Sequence, residues 1–94
     1  MGMHTAETAP PPLAARRCWM QGRRVYLEIT ARRSISFPTS KYAKLAYAPQ
    51  LELEKIRLHD AGRAVRWETI DLEILVEDVA NQRFVDRPVP LAAG

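Results

Sequence analysis

The stretch Arg23-Arg24-Val25-Tyr26-Leu27-Glu28-Ile29-Thr30-Ala31-Arg32-Arg33-Ser34-Ile35-Ser36-Phe37-Pro38 decides the fold. Val25, Leu27 and Ile29 alternate with Arg24, Tyr26, Glu28 and Thr30, the period of a strand with one face in a core and one in water. A turn at Ala31-Arg32-Arg33 leads into Ser34 to Phe37, a short strand closed by Pro38, which has no N–H to give a ladder. Upstream, Arg16 to Met20 reads as a further strand joined through Gln21-Gly22-Arg23. Gly22 supplies the positive φ of a tight hairpin. The three strands predict an antiparallel meander.

Beyond Pro38 the period changes. Ser40 is placed to cap a short helix in which Tyr42, Leu45 and Ala46 share a face while Lys41 and Lys44 meet water. Pro49 fits the first turn of a second short helix continued by Leu51 and by Leu53 to Lys55. Helices this short depend on packing rather than propensity. Period two returns with Ile56 and Leu58 alternating with Arg57 and His59. A turn at Asp60-Ala61-Gly62-Arg63 follows, then Val65 and Trp67 on a returning strand. Ile70 to Ile74 reads as irregular, ahead of a short helix around Val76 to Ala80. Trp67 is expected to be the main core aromatic.

The expected class is therefore α+β: a small antiparallel meander plus a second hairpin, with two or three short helices packed on the sheet. Residues 1–13, with Pro10-Pro11-Pro12, predict a disordered or extended leader. Residues 14–82 predict a single domain, and residues 83–94, with Pro88 and Pro90, an extended tail.

The chain has 94 residues, 47% hydrophobic and 27% charged, a composition that suits one modest globular core. The sequence contains neither a membrane-length apolar run nor a secretory h-region, so the cytoplasm is the expected location and no membrane partner is expected. Cys18 is the single cysteine, which rules out an internal disulfide and offers no zinc set. Net charge is +3 but uneven: residues 1–47 carry +6 and residues 48–94 carry −3. Such asymmetry reads first as an uneven solvated surface, and second as a basis for binding an anionic partner or for self-association.

Two stretches read together resemble a known family. Arg33-Ser34-Ile35-Ser36-Phe37-Pro38 runs into Lys41-Tyr42-Ala43-Lys44-Leu45. Later, Val65-Arg66-Trp67 precedes Ile70-Asp71-Leu72-Glu73-Ile74-Leu75-Val76-Glu77. This order is similar to the bacterial domain of unknown function 2442 family, over roughly Ala15 to Ala80. The family pattern has Asp-Gly where this chain has Ala31-Arg32, an aromatic at Lys41, proline at Ala43 and Asp at Glu73. The resemblance implies a small sheet with one or two packed helices. Some relatives carry a helix-turn-helix, and others are encoded beside a small partner in arrangements that look like toxin–antitoxin pairs. This chain reads as the standalone form.

The sequence predicts no catalytic set, cofactor site or metal site. His4 lies in the leader and His59 on a polar strand face, and neither has a patterned nucleophile beside it. Asp71, Glu73, Glu77 and Asp78 lack the spacing of a calcium loop. They read instead as local: Asp71 accepting N–H groups in the turn after Trp67, and Glu73 helping to start the last helix. The doublets Arg16-Arg17, Arg23-Arg24 and Arg32-Arg33 are the most suggestive feature, since each can send one guanidinium to a common face. The plainer reading is charge that keeps strand edges apart. Trp19 and Tyr26 join the candidate surface if the hairpin register turns both outward. The candidate binding residues are Arg16, Arg23, Arg24, Arg32, Arg33, Trp19 and Tyr26. The expected function is a non-enzymatic module holding an acidic protein surface, as the antitoxin-like or regulatory member of a two-gene pair. The alternative is a nucleic-acid-binding accessory protein with the same arginines on phosphates, and self-association through strand edges is a third reading.

Overall fold

The alternation that starts at Arg24 takes shape in a computed structural model, which describes residues 13–91. The expected leader, apart from Leu13, lies outside the described residues. Strands β1 (Arg17–Gln21), β2 (Arg24–Thr30) and β3 (Arg33–Pro38) form an antiparallel sheet in that order. Cys18 and Met20 oppose Leu27 and Val25, which in turn oppose Ile35 and Phe37, so this row faces the core. Val25, Leu27 and Phe37 are fully buried. Neither Ala31 nor Arg32 takes a positive φ. Instead the register slips by one residue between Glu28 and Thr30, and this bulge adds the local twist that lets the hairpin close without a glycine.

The chain between the sheets departs from the expected helix start. A 3₁₀ turn (Thr39–Lys41) precedes helix α1 (Ala43–Ala46), whose cap is Tyr42, with no side-chain cap bond. Ser40 stands exposed and caps nothing. Pro49 is the cap of α2 (Gln50–Leu53) rather than its first turn. Each helix is a single turn held by one wholly buried leucine, Leu45 or Leu53.

The second sheet has a strand more than its expected hairpin. Strands β4 (Ile56–His59), β5 (Ala64–Trp67) and β6 (Ile70–Leu75) pair antiparallel in that order, and α3 (Val76–Ala80) follows. The stretch from Ile70, expected to be irregular, is thus a strand, with Leu72 and Ile74 buried. Two acids that disfavour strands by themselves obscure it. Both are answered: Glu73 stands opposite Arg66, and Asp71 accepts the Val89 N–H. A register slip between Arg66 and Trp67 breaks the strict alternation at its start.

The inner faces of both sheets meet in one core. Strand β1 runs beside β4, and α3 packs on both β3 and β6, closing the opposite side. Trp67 is 3% exposed, and its indole N–H donates to the Leu53 carbonyl at 2.9 Å, tying α2 to the second sheet. Phe37, Tyr42 and Phe84 pack ring to ring at 5.6–5.9 Å. The tail from Arg83 is extended but lies on the domain. The Glu73 N–H donates to the Arg87 carbonyl at 2.9 Å, and Arg83 and Arg87 both reach Asp78.

The β4–β5 turn holds the two sheets together at one point. Asp60, Ala61 and Gly62 take successive left-handed conformations, with φ of 54°, 56° and 85°. The Gly62 carbonyl accepts the Ala15 N–H at 2.7 Å, just ahead of β1. A Cβ on Gly62 would meet the Ala15 carbonyl oxygen, whereas one on Gly22 would meet nothing. In urea denaturation, Gly62→Ala is expected to cost about 2–4 kcal/mol. Gly22→Ala, which strains only its own φ, should cost about 1–2 kcal/mol, and equal losses would show that the Ala15 contact carries no weight.

Candidate partner-binding face

The side chains of the first sheet that point away from the core come from Arg17, Trp19 and Gln21, opposite Arg24, Tyr26 and Glu28, opposite Ser34, Ser36 and Pro38. None of these residues is buried. Trp19 and Tyr26, direct cross-strand partners, stack with centroids 5.5 Å apart and planes 7° from parallel. The Arg17 guanidinium lies 5.1 Å from the indole centroid, a cation–π contact. Arg24 donates through Nε to the Ser36 hydroxyl at 3.0 Å, which holds its stem along the sheet. Glu28 is the acid of this face, and Arg16 pairs with it at 2.8 Å while Arg17 lies at 3.9 Å.

The doublets therefore divide. Arg24, Trp19 and Tyr26 come together with Arg17, and Arg16 sits at the margin on Glu28. Arg23, expected as part of a free surface, donates to the carbonyls of Leu45, Ala46 and Ala48 at 2.9–3.1 Å. Its guanidinium closes the C-terminal end of α1, where carbonyls lack helical partners. Arg32 and Arg33 are exposed at the β2–β3 turn, away from the aromatic pair, and their side chains make no ion pair among the described residues.

The structure adds residues that the sequence reading left out of the site. A depression of about 470 Å³ between β1 and β4 is lined by Arg17, Trp19, Arg57 and His59, with Cys18 and Ile56 below. A second, of about 550 Å³, has Arg57 and His59 in its wall along with Arg66 and Trp67. The cationic surface thus crosses from one sheet to the other. The alternation Ile56-Arg57-Leu58-His59 contained the signal for two of these residues, but only the adjacency of β1 and β4 brings them to Trp19.

The acidic patch has structural partners. Glu73 accepts Nε and Nη2 of Arg66 at 3.1 and 2.9 Å, pairing across strands rather than starting α3. Asp71 accepts an N–H as expected, but from Val89 in the tail rather than from the turn after Trp67. Asp78, 4% exposed, receives Arg87 at 3.0 Å and Arg83 at 3.3 Å. Among the described residues, no group of His, Cys, Asp and Glu side chains converges to hold a metal ion. The Tyr42 hydroxyl is buried without a hydrogen-bond partner, and burial together with the nearby Asp78 carboxylate pushes its pKa up to about 12. Desolvation pushes the half-buried Cys18 thiol up to about 11.

No protein-family model matches the chain, and no curated protein matches it. Among solved structures it is similar to a protein of unknown function from Rhodospirillum rubrum, with 18% identity over 79% of this chain and 92% of that one, and a TM-score of 0.71. The likeness is one of fold: both are small α+β domains of this architecture.

Two measurements check this chemistry. Cys18 reacts as a thiolate, and its pKa is raised from 9.0 to about 11. Alkylation by iodoacetamide at pH 8 should therefore run about a hundredfold slower than for an unburied thiol. Asp78→Asn removes the negative charge shared by two arginines that both reach solvent, and turns one of its two acceptor oxygens into a donor, so the loss should be about 1–2 kcal/mol. Amide exchange at Glu73 should quicken with it as the tail loosens, and unchanged exchange would mean that Asp78 does not hold the tail.

Proposed function

We propose that the protein is a non-enzymatic partner-binding module. In this reading it is a standalone member of the domain of unknown function 2442 family, working in the cytoplasm as the antitoxin-like or regulatory half of a two-gene pair. The observation that carries the reading is the Trp19–Tyr26 stack, with Arg17 over the indole and Arg24 alongside, on a sheet face with no buried side chain. Large aromatics and arginine are the residue types that dominate interface energetics. Burying a wholly exposed aromatic side chain stabilises by about 1.5–3 kcal/mol, and a partner that covers the part of each ring still exposed gains a fraction of that from Trp19 and from Tyr26. The surrounding arginines favour an acidic surface and speed encounter with it.

The same groups support a second reading, since aromatics amid cations also serve as platforms for single-stranded nucleic acid. Two features favour the protein partner. Trp19 and Tyr26 present ring faces to each other, and Arg17 lies over the indole, which leaves less ring surface for stacked bases.

Purification from the native host tests both. The product of the adjacent gene should be retained by the unmodified chain and lost at least about tenfold on Trp19→Ala with Arg24→Gln, the usual scale of a hot spot. Retention of nucleic acid instead, falling steeply between 50 and 200 mM salt as phosphate recognition requires, would overturn the reading.

A further inference from the structure

The outer face of the second sheet carries an arrangement that a sheet disfavours by itself. Arg57 on β4 and Arg66 on β5 are direct cross-strand partners, so their side chains leave the same face side by side. Like charges in that position destabilise the pair. Glu73, opposite Arg66 on β6, answers Arg66 through a single carboxylate oxygen. Among the described residues no carboxylate pairs with Arg57, which is exposed. His59, two residues along β4, stands on the same face. All three line the depression of about 550 Å³, and Arg57 and His59 also line the neighbouring one that reaches Arg17 and Trp19. The two depressions share Arg57 and His59, so a track that joins them crosses β4.

We propose that Arg57 and Arg66 form a fork for side-chain carboxylates of an extended acidic peptide segment, which lies along this track from the Trp19 seam to the Arg66 groove. The inference rests on the partner-binding reading and names what the partner presents. A guanidinium beside a second one offers several N–H donors in the geometry that carboxylates accept. A carboxylate between the two also removes the repulsion that the free sheet bears. Both depressions are open to solvent, which suits a chain segment rather than an enclosed small molecule. The far end of the track is walled by Glu68 and Asp71. The peptide segment ends at Arg66, short of these acids.

The full chain, labelled with ¹⁵N, is titrated at matched ionic strength with a hexaglutamate peptide, with inorganic phosphate and with a thymidine hexanucleotide. The expected result is that hexaglutamate moves the amides of Arg57, His59 and Arg66 and binds at least about fivefold tighter than either phosphate probe. Arg57→Gln should weaken it by about five- to tenfold, as befits one charge-assisted contact, while Lys41→Gln, in the 3₁₀ turn and outside both depressions, leaves it unchanged. Arg57→Glu gives Arg66 an acid on both sides. It should abolish peptide binding and raise Tm by about 1–5 °C, the range that an opposed charge pair supplies in a domain of this size. Silence of these amides, preference for phosphate or the oligonucleotide, or a lower Tm in Arg57→Glu overturns the inference. If the amides stay silent while Trp19→Ala with Arg24→Gln still loses the adjacent gene product, the fork fails and the partner-binding reading stands. If hexaglutamate binds as expected while that variant retains the product, the reverse holds.

Discussion

Neither sheet has enough apolar surface to stand by itself, so each must find its interior in the other. Strands of four to seven residues in a three-stranded sheet leave a single apolar row or two per strand, and a sheet that small needs a second layer. Every other feature follows from this sharing. The α1 and α2 turns, too short to persist in water, survive because Leu45 and Leu53 drop into the common interior. Trp67 reaches across it to the backbone of α2. The Ala15–Gly62 hydrogen bond fixes where the start of β1 meets the second sheet, and with it the line along which the outer faces adjoin.

Arginine performs four different tasks in this molecule. Arg23 closes a helix end, Arg83 and Arg87 hold the tail on a buried carboxylate, and Arg66 pairs across strands. Arg17, Arg24 and Arg57 remain on one surface beside the aromatic stack. A guanidinium's role depends on which carbonyl or carboxylate the fold brings within reach, and that is a property of tertiary structure. Doublets in a sequence do not reveal it.

What was legible in the sequence is what depends on period and on neighbours. The alternation from Arg24 to Thr30, the Gly22 turn and the inward side of Trp67 all follow from local rules, and the α+β class follows from them. Strand β6 was hidden because its two acids are matched by Arg66 and by the backbone of Val89, partners 7 and 18 residues away. Ser40 has the chemistry of a cap, but the 3₁₀ turn shifts the helix start past it. Of the candidate face, Trp19 and Tyr26 are legible as residue types, but their shared side depends on the hairpin register. Arg57 and His59 reach Trp19 only through the adjacency of β1 and β4, which no local pattern encodes, and Arg66 joins them by its pairing with Arg57 across β4 and β5.

The docked tail has a consequence for how copies of the chain meet one another. A six-stranded arrangement split into two sheets has four outer edges, each a row of backbone groups able to template a foreign strand. Here β1 and β4 face each other, and the segment through Arg87 and Val89 lies along part of β6. Among the described residues, β3 is left as the one flank with an unshielded ladder. It ends in Pro38, a residue that cannot donate, and begins at Arg33, a charge that opposes the addition of a further strand.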